Sequence, residues 1–397
     1  SHLSAHAEAI PLILIRIFMF KLGLIVNPLA GLGGPLAMKG SDGLDISAVP
    51  NSDRGRAGTR ALRCLAKISE EVATKVTVFG FEGDMSANSA GAGDVAGLSF
   101  VSVGCPESAS QTTSSDTQSA ALALSAAGVD LLLFVGGDGT ARDICSAIGL
   151  ATPCLGVPAG VKMHSGVYAV SPESAADIVL ALVSGGLVEL GEGEVRDIDE
   201  EAFRAGVVRS KYFGELLVPR LGGFLQHVKS GGREQEELVL ADIAEHITEG
   251  MEAETLYVIG PGSTTEAIMT HLGLENTLLG FDAVLNNELL ASDLSADQLA
   301  TLVSERAGPV KAVITAIGGQ GHILGRGNQQ LTPALIRAIG RENFIIIATK
   351  TKISGLGGRP LLVDSNDPEL DAEWQGYISL VTGYRDVIMY RVSASGD

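Results

Sequence analysis

Cysteine is scarce in this sequence, and the few cysteines that occur are not spaced to hold a metal. Four are present among 397 residues, and they form neither a Cys-x-x-Cys motif nor a Cys/His cluster. This usage is typical of reduced thiols in a cytosolic protein and argues against a structural zinc site. We therefore expect a cytoplasmic protein, and we assign none of its residues as a metal ligand.

Basic residues are also few: 28 lysines and arginines stand against 47 aspartates and glutamates, for a net charge of −19. An acidic protein repels polyanions, whereas nucleic-acid-binding proteins usually carry a basic face. The charge therefore argues against nucleic acid and against anionic membrane surfaces as partners. A small phosphorylated ligand remains compatible, because glycine-rich loops hold phosphate through backbone N–H groups even inside an acidic protein.

A long uninterrupted hydrophobic run is missing. The most apolar stretch, residues 10–26, is shorter than the ~20 residues of a membrane-spanning helix, and Arg16 and Lys21 interrupt it. We interpret Phe20–Val26 as a first core strand and residues 1–18 as an expression remnant or an upstream segment.

Three common catalytic signatures are missing as well. The sequence contains no G-x-x-x-x-G-K-[ST] loop, no G-x-S-x-G elbow and no His-Glu-x-x-His motif. Their absence argues against a P-loop nucleotide hydrolase, an α/β-hydrolase and a zinc protease of the zincin type.

What the sequence does contain is an alternation of short apolar strands with helices. Continuous apolar strands separated by helices predict an α/β fold whose parallel sheet is covered on both faces. After residue 187 paired strands become more frequent, so we predict an N-terminal α/β nucleotide-binding domain over 19–187 and a C-terminal β-rich domain over 188–397. The strands predicted in the first domain are 20–26, 75–79, 98–103, 130–135 and 153–157.

The stretch "GGDGT", Gly136 to Thr140, follows one of these apolar strands and precedes a helical pattern. Such a strand–turn–helix junction is where an open parallel sheet usually binds its ligand. The glycines let backbone N–H groups approach an anion, and Thr140 is expected to cap the helix. Asp138 does not suit a loop that only holds phosphate, because its carboxylate repels phosphate oxygens. It indicates a Mg²⁺ partner or a base for a substrate hydroxyl, with a plain helix cap as the alternative.

A second glycine-rich stretch, "GVPAGVKMHSGV", ends the strand predicted at 153–157 and should lie beside "GGDGT" at the same sheet edge. Pro158 and Gly160 would line the ligand there, and Lys162 and His164 would contact phosphate or substrate. The alternative is a surface lysine and a histidine without a ligand.

Two further stretches follow predicted strands in the second half of the chain. "GPGSTTEAI" pairs a glycine turn with a helix start, whose hydroxyls and N–H groups suit an anion, although an ordinary N-cap is the alternative. The candidate ligands there are Gly262, Ser263, Thr264 and Thr265. The glycine-rich stretch 318–331 is costly to order, so we predict a phosphate-binding role for Arg326 with Asn328, and a flexible turn is the alternative.

Together these motifs resemble those of the NAD kinase family. The matching pieces are "LGLIVNPLAG", "GGDGT", "CLGVPAGVKMHSGVYA" and, more weakly, "IGPGSTTEAI", and they span most of residues 20–350. The chain is similar to the branch described as predicted ATP- or polyphosphate-dependent NAD kinases, which also includes proteins similar to those of acetoin-catabolism clusters.

The resemblance implies a two-domain NAD kinase-like fold with a nucleotide cleft between the domains and a C-terminal tail that packs back on the first domain. It implies phosphorylation of NAD at the adenosine 2′-hydroxyl, with ATP or polyphosphate as donor, Mg²⁺ as cofactor and a homo-oligomeric assembly. Asp138 would deprotonate or orient that hydroxyl, and Asn27 would lie near the donor. The nucleotide phosphates would be lined by Gly136, Gly137, Gly139 and Thr140.

The sequence departs from the family in one respect. NAD kinases carry an Asn-Glu pair in a strand before their Gly-Ser-Thr loop, whereas here the only such pair, Asn287-Glu288, follows "GPGSTT" at a predicted hairpin tip. We therefore do not transfer the role of that pair. Two alternatives stay open: a phosphotransferase of the same fold that acts on another small-molecule acceptor, and a non-catalytic nucleotide-binding sensor.

Overall fold

The computed structural model describes residues 19–31, 56–86, 97–108, 111–159, 163–207, 209–222, 233–277 and 280–394. The predictions for residues 1–18, Gly160 and Lys162 lie outside the described residues. Within the described ranges, no helix combines the length and the apolar character needed to cross a bilayer.

A parallel sheet forms the first part of the described chain. Its strands are β1 Phe20–Val26, β2 Val76–Phe81, β3 Ser99–Gly104, β4 Leu131–Gly136 and β5 Cys154–Pro158, and its helices are α1 Arg56–Val72, α2 Ser114–Ala126, α3 Asp138–Ile148 and α4 Pro172–Val183. The strand order is β3-β2-β1-β4-β5. Helix α1 packs against α4, and α2 packs against α3. β4 is buried along its whole length, as its continuous apolar run predicts.

The direction of the chain across this sheet reverses between β1 and β4. From β1 the chain continues to β2 and β3 on one side, and from β4 it continues to β5 on the other. The loops that follow β1 and β4 therefore diverge and leave a crevice at the carboxyl edge, where doubly wound sheets bind their ligands.

A mixed sheet dominates the second part of the described chain. Its strands are β6 Val188–Ile198, β7 Ser210–Arg220, β8 Leu256–Ile259, β9 Phe281–Leu285, β10 Glu288–Leu294, β11 Val310–Thr315, β12 His322–Leu324, β13 Phe344–Ile347, β14 Leu361–Val363, β15 Gly376–Gly383 and β16 Asp386–Ala394. The main path is β10-β9-β8-β11-β13-β15-β16-β14-β12, and β6 joins β16 and pairs with β7. The prediction of a parallel α/β part followed by a β-rich part is confirmed.

Helices alternate with these strands along the chain. They are α5 Glu200–Arg204, α6 Arg233–Glu249, α7 Ser263–His271, α8 Ala296–Glu305, α9 Pro333–Ile339, α10 Lys350–Ser354 and α11 Pro368–Trp374. Strands β8, β11, β13 and β15 run parallel to one another. Their carboxyl ends therefore form a second edge that loops and helix N-termini can reach.

Local signals set several of the turns and helix starts. Ser171 accepts a hydrogen bond from the Ser174 N–H at 3.1 Å and caps α4. Ser295 and Gln298 form a capping box at the start of α8. Asn286 and Asn287 form the predicted hairpin turn with φ of 51° and 64°, a conformation that asparagine tolerates better than most residues.

The β6–β7 hairpin connects the second sheet to the first part of the chain. Val188 and Glu189 of β6 pair with β16, and the longer remainder of β6 pairs with β7 over α3. The Cys145 thiol of α3 donates to the carbonyl of Glu215 in β7. Val195 is buried in the same core as the first sheet. The hairpin thus brings residues of the second sheet next to the helix that follows β4.

The two sheets also touch at the amino end of the first. The rings of Phe20 and Tyr377 meet edge to face, with centroids 5.2 Å apart, and the Tyr377 hydroxyl donates to the Leu182 carbonyl at 2.7 Å. Beside them, the Asp130 carboxylate accepts the Lys21 N–H at 2.8 Å. Burial raises the pKa of Asp130 to about 6.

Candidate active site

The "GGDGT" turn lies at the carboxyl end of β4, beside the crevice between β1 and β4. The expectation that Thr140 caps the following helix is wrong, because α3 begins at Asp138 with Gly137 as its N-cap. Thr140 lies inside the first turn, and its Oγ1 approaches Gly136 so closely that an added Cβ would meet it at 2.4 Å. Gly136 is therefore required by close packing, not by an unusual backbone angle.

Asn27 follows β1 and ties the neighbouring loop to this turn. Its Nδ2 donates to Thr140 Oγ1 at 3.0 Å, and its own N–H donates to the Val135 carbonyl at 2.9 Å. Its Oδ1 accepts the Leu29 N–H at 3.1 Å. Asn27 thus lies at the edge predicted for it, where its side chain holds the two loops in register.

The turn after β5 joins the same edge. Pro158 lies opposite Gly136 in the register of β4 and β5, and the Ala159 N–H donates to the Gly136 carbonyl at 3.0 Å. A Cβ on Gly31, whose φ is +80°, would lie 2.3 Å from the Ala159 carbonyl oxygen. The chain after β1 therefore passes directly over the chain after β5, with the Arg56 side chain alongside.

Asp138 is only 7% exposed, and its carboxylate faces the stretch that follows β5. Oδ2 accepts the His164 N–H at 2.6 Å, and Oδ1 accepts the Ser165 N–H at 3.2 Å. The backbone of His164, not its imidazole, makes this contact, and the His164 side chain is exposed. The stretch after β5 thus lies beside "GGDGT", as the sequence predicted, and it holds the carboxylate in one orientation.

Tyr168 was not predicted as a site residue. A Cβ on Gly156 would lie only 2.4 Å from the nearest atom of the Tyr168 ring, so the ring fills the space beside this glycine. The Tyr168 ring also meets the Phe134 ring edge to face. Burial, followed by the charges of Asp138 and Asp197, raises the pKa of Tyr168 well above its ordinary value, so the hydroxyl stays protonated. The buried hydroxyl has no hydrogen-bond partner of normal geometry among the described residues. A sequence signal existed: tyrosine follows the glycine-rich loop within four residues of His164.

The Arg142–Asp197 ion pair was also missed. Arg142 lies one helical turn after Asp138, and its Nη1 is 2.7 Å from Asp197 Oδ2 at the end of β6. Ser165 adds a second link, since its Oγ donates to the Arg196 carbonyl at 2.8 Å. These contacts fix the β6–β7 hairpin over α3, and β6 is too distant in sequence for spacing to have indicated them.

The other predicted site residues lie at the second edge. Gly262 is the N-cap of α7, with φ of +128°, and Ser263 to Thr265 form its first turn. Arg326 is exposed, whereas Asn328 is fully buried and donates its Nδ2 to the Ile323 carbonyl at 2.7 Å. The structure therefore groups the candidates into two sets, one at each sheet edge.

Two family models match the chain. The ATP-NAD kinase N-terminal domain matches residues 22–187, and the ATP-NAD kinase C-terminal domain matches residues 252–392. The chain belongs to the NAD kinase family. Membership makes it a kinase-like phosphotransferase and confirms the resemblance drawn from the motifs. No curated protein and no solved structure matches the chain significantly.

NAD kinases generally use ATP with a divalent metal. Among the described residues, no group of three or more His, Cys, Asp or Glu side chains is placed to hold a metal. Mg²⁺ in nucleotide enzymes usually binds through one or two carboxylates together with phosphates and water. Asp138 supplies one such carboxylate, so the site fits a metal that arrives with the phosphates of a nucleotide.

Proposed function

We propose that the protein transfers a phosphoryl group from ATP or polyphosphate to the 2′-hydroxyl of NAD, which gives NADP. The observation that carries this proposal is the buried, oriented carboxylate of Asp138 at the first turn of α3, beside the crevice between β1 and β4. Membership in the NAD kinase family supports the choice of NAD as the acceptor.

Asp138 acts on the acceptor hydroxyl. Each carboxylate oxygen accepts one backbone N–H and keeps a further lone pair for a substrate proton. The carboxylate orients the 2′-hydroxyl and takes its proton as the oxygen attacks the terminal phosphorus. The new O–P bond forms as the bond to the donor's leaving phosphate oxygen breaks, and the leaving group departs with the electron pair.

The N-terminus of α3 binds the transferred phosphate. The first intrahelical bond is the Ala141 N–H to the Gly137 carbonyl, so the N–H groups of residues 138–140 precede it and have no acceptor within the helix. They carry the positive end of the helix dipole, which favours an anion. Mg²⁺ bound with the donor would neutralise charge on the phosphates, with Asp138 as its protein ligand.

One observation favours a different small-molecule acceptor as the second candidate. The Asn287-Glu288 pair lies away from the first edge. Asn287 is in the β9–β10 turn, and Glu288 is the first residue of β10, with its side chain exposed. The Asn-Glu contacts expected in the family therefore have no counterpart at that position. Other hydroxyl acceptors are tested with ATP as donor by release of ADP, because the NADP readout would not detect their phosphorylation.

The test measures NADP formation by purified protein with Mg²⁺ and NAD, with ATP and polyphosphate supplied in turn. NADP is detected with a strictly NADP-specific dehydrogenase. We expect turnover with at least one donor. We expect Asp138→Asn to lower kcat by about 10²–10⁴-fold, because the carboxylate acts as a general base.

Asp177→Asn is the matched control, because Asp177 is a half-exposed residue of α4 that pairs with Lys67 on the surface. It should leave kcat unchanged. The melting temperature and the NAD affinity of Asp138→Asn are measured in parallel, since Asp138 also holds the backbone of residues 164 and 165. Absence of NADP with both donors would refute the proposal, and full turnover by Asp138→Asn would refute the role of the carboxylate.

A further inference from the structure

Three arginines lie close together on α1. Arg56 is the first residue of the helix, Arg60 lies one turn further on, and Arg63 follows three residues later. Side chains three and four positions apart are neighbours on a helix surface, so the three guanidinium groups share one face. The cluster stands in a chain whose net charge is −19. Such a concentration of positive charge in an acidic protein favours an anionic ligand.

The Arg56 end of α1 lies at the carboxyl edge of the first sheet. A Cβ on Gly31 would lie 3.5 Å from Arg56 Cδ, and Gly31 belongs to the turn after β1. Asn27, at the start of that turn, donates to Thr140 in the first turn of α3. Arg56 is therefore at the same edge as the "GGDGT" turn, on the side of the crevice that the chain after β1 forms.

Arg56 and Arg60 differ from Arg63 in having no acidic partner. The Nε and Nη2 atoms of Arg63 lie 2.9 Å and 3.0 Å from the two carboxylate oxygens of Glu173 in α4. Arg56 and Arg60, by contrast, form no ion pair with any described residue. The described part of the chain thus leaves the positive charge at the crevice end of the cluster without a carboxylate.

Arg60 supplies an independent observation. Its side chain is partly buried, and its Nε is buried without a hydrogen-bond partner among the described residues. Burial, followed by the charges of Arg63 and Arg56, lowers the pKa of Arg60, and Glu173 opposes this shift with the smallest contribution. A guanidinium nevertheless stays charged at neutral pH. An unpaired buried donor beside two like charges is costly, and an anion bound at this face would reduce both costs.

We propose that Arg56 and Arg60 bind the phosphates of the phosphoryl donor that are not transferred. Guanidinium groups bind phosphate oxygens bidentately, and two of them one helical turn apart can hold successive phosphates of one chain. The terminal phosphate lies at the N-terminus of α3, and the rest of the chain crosses the turn after β1 to α1. The chemical class of the ligand is a linear triphosphate, which a nucleoside triphosphate and inorganic polyphosphate share.

The experiment is calorimetric titration of the full-length protein with inorganic tripolyphosphate, ATP and NAD, each alone with Mg²⁺. We expect Arg56→Met and Arg60→Met each to weaken tripolyphosphate binding by about tenfold or more, because each removes a charge-assisted contact. NAD binding should stay unchanged. The melting temperature of free Arg60→Met should stay the same or rise, since the substitution removes an unpaired donor and a repelled charge. A purely structural role for Arg60 would lower the melting temperature and leave tripolyphosphate binding intact.

Arg385→Met is the matched control, because it makes the same change of charge at an exposed position between β15 and β16. It should bind tripolyphosphate as the wild type does. A parallel loss of ATP affinity in the two α1 variants would assign the cluster to a nucleotide donor. Loss of tripolyphosphate affinity with unchanged ATP binding would assign it to inorganic polyphosphate.

Undetectable tripolyphosphate binding by the wild type, or equal binding by the wild type and both α1 variants, would overturn the proposal. An equal loss in Arg385→Met would overturn it too, since net charge alone would then explain the effect. Weaker NAD binding in the α1 variants would assign the cluster to the acceptor instead. The proposal rests on the proposed function for the identity of the ligand as a donor. Because the titration needs no NADP formation, failure of the kinase assay and failure of this proposal are separate results.

Discussion

The two carboxyl edges of this molecule share a backbone pattern and differ in the charge they hold. At the first edge, β4 leads through Gly137 into α3, and at the second, β8 leads through Gly262 into α7. Both helices begin without a side-chain cap. The side chain buried at the first edge is the Asp138 carboxylate, whereas the second edge carries the Lys352 ammonium.

The opposite charges of Asp138 and Lys352 suit the two edges to different chemistry, although their backbones are similar. A helix N-terminus attracts phosphate in both places, but a carboxylate beside it can also take a proton from a hydroxyl. A lysine near such an N-terminus, as Lys352 of α10 is near that of α7, adds only attraction for the anion. Under the proposed function, the first edge therefore suits the reacting groups.

The largest effect is expected at the first edge, from the substitution Gly136→Ala. Gly136→Ala places a Cβ 2.4 Å from Thr140 Oγ1, so the turn must shift away from α3. We expect a loss of about 1–3 kcal/mol in the free energy of unfolding and of at least about 100-fold in kcat/KM. Chemical denaturation and the NADP assay measure the two effects.

Gly139→Ala, three residues further on, is the matched control for Gly136→Ala. A Cβ on Gly139 meets its nearest neighbours only at 3.9 Å, and the residue is helical. Its stability should therefore rise by about 0.5–1 kcal/mol. Equal destabilisation by both substitutions would contradict the packing argument for Gly136.

The second prediction concerns Asp130, which lies near the amino end of the first sheet, where the two sheets meet. The pKa of Asp130 is raised to about 6 in the folded protein, above its unfolded value, because burial disfavours the carboxylate. The contribution of Asp130 to the free energy of unfolding is thus fully present below about pH 4 and is lost as the pH rises through about 6. This contribution amounts to up to about 3 kcal/mol. Denaturation of wild type and Asp130→Asn across this pH range measures it.

Asp130→Asn keeps an acceptor oxygen for the Lys21 N–H and removes the titration. Its stability relative to the wild type should therefore increase between pH 4 and pH 6 and stay level above pH 7. Parallel pH profiles of the two proteins would mean that Asp130 titrates in the folded state as it does in the unfolded chain.

The smallest effect is expected from Tyr168→Phe. Tyr168 at the first edge and Thr315 at the second each carry a buried hydroxyl. Neither has a partner of normal geometry among the described residues. Tyr168→Phe should therefore change the free energy of unfolding by less than about 1 kcal/mol while it lowers kcat several-fold, because the protonated hydroxyl lies beside Asp138. Unchanged kcat would reduce Tyr168 to a packing residue.

The sequence predicted the parallel sheet and both strand–glycine–helix turns because these features are local. Continuous apolar runs marked β1 and β4, and "GGDGT" and "GPGSTT" marked the turns that follow β4 and β8. The hairpin at Asn286 and Asn287 followed from the tolerance of asparagine for positive φ. The helix cap expected at Thr140 was wrong because α3 begins two residues earlier, at Asp138, and the Thr140 hydroxyl inside its first turn instead accepts a hydrogen bond from Asn27, more than a hundred positions away.

The partners of the site residues were not predictable in this way. Arg142 meets Asp197, and Lys352 lies beside Thr315, only after strands distant in sequence have paired. The burial that keeps Tyr168 protonated likewise depends on Gly156 and Phe134 of neighbouring strands. Such contacts carry no local periodicity or spacing that a pattern could detect.

Local chain chemistry is sufficient to say where strands end, where glycines open a turn and where an acid such as Asp138 stands at a helix start. The register of β1, β4 and β5 and the path of β6 over α3 then set the environment of that acid. The physical reason is that backbone preferences act over a few residues, whereas burial and electrostatic environment depend on which segments pack together. The first edge could therefore be named from its motif, while the position of Lys352 beside Thr315 emerged only from the packed second sheet.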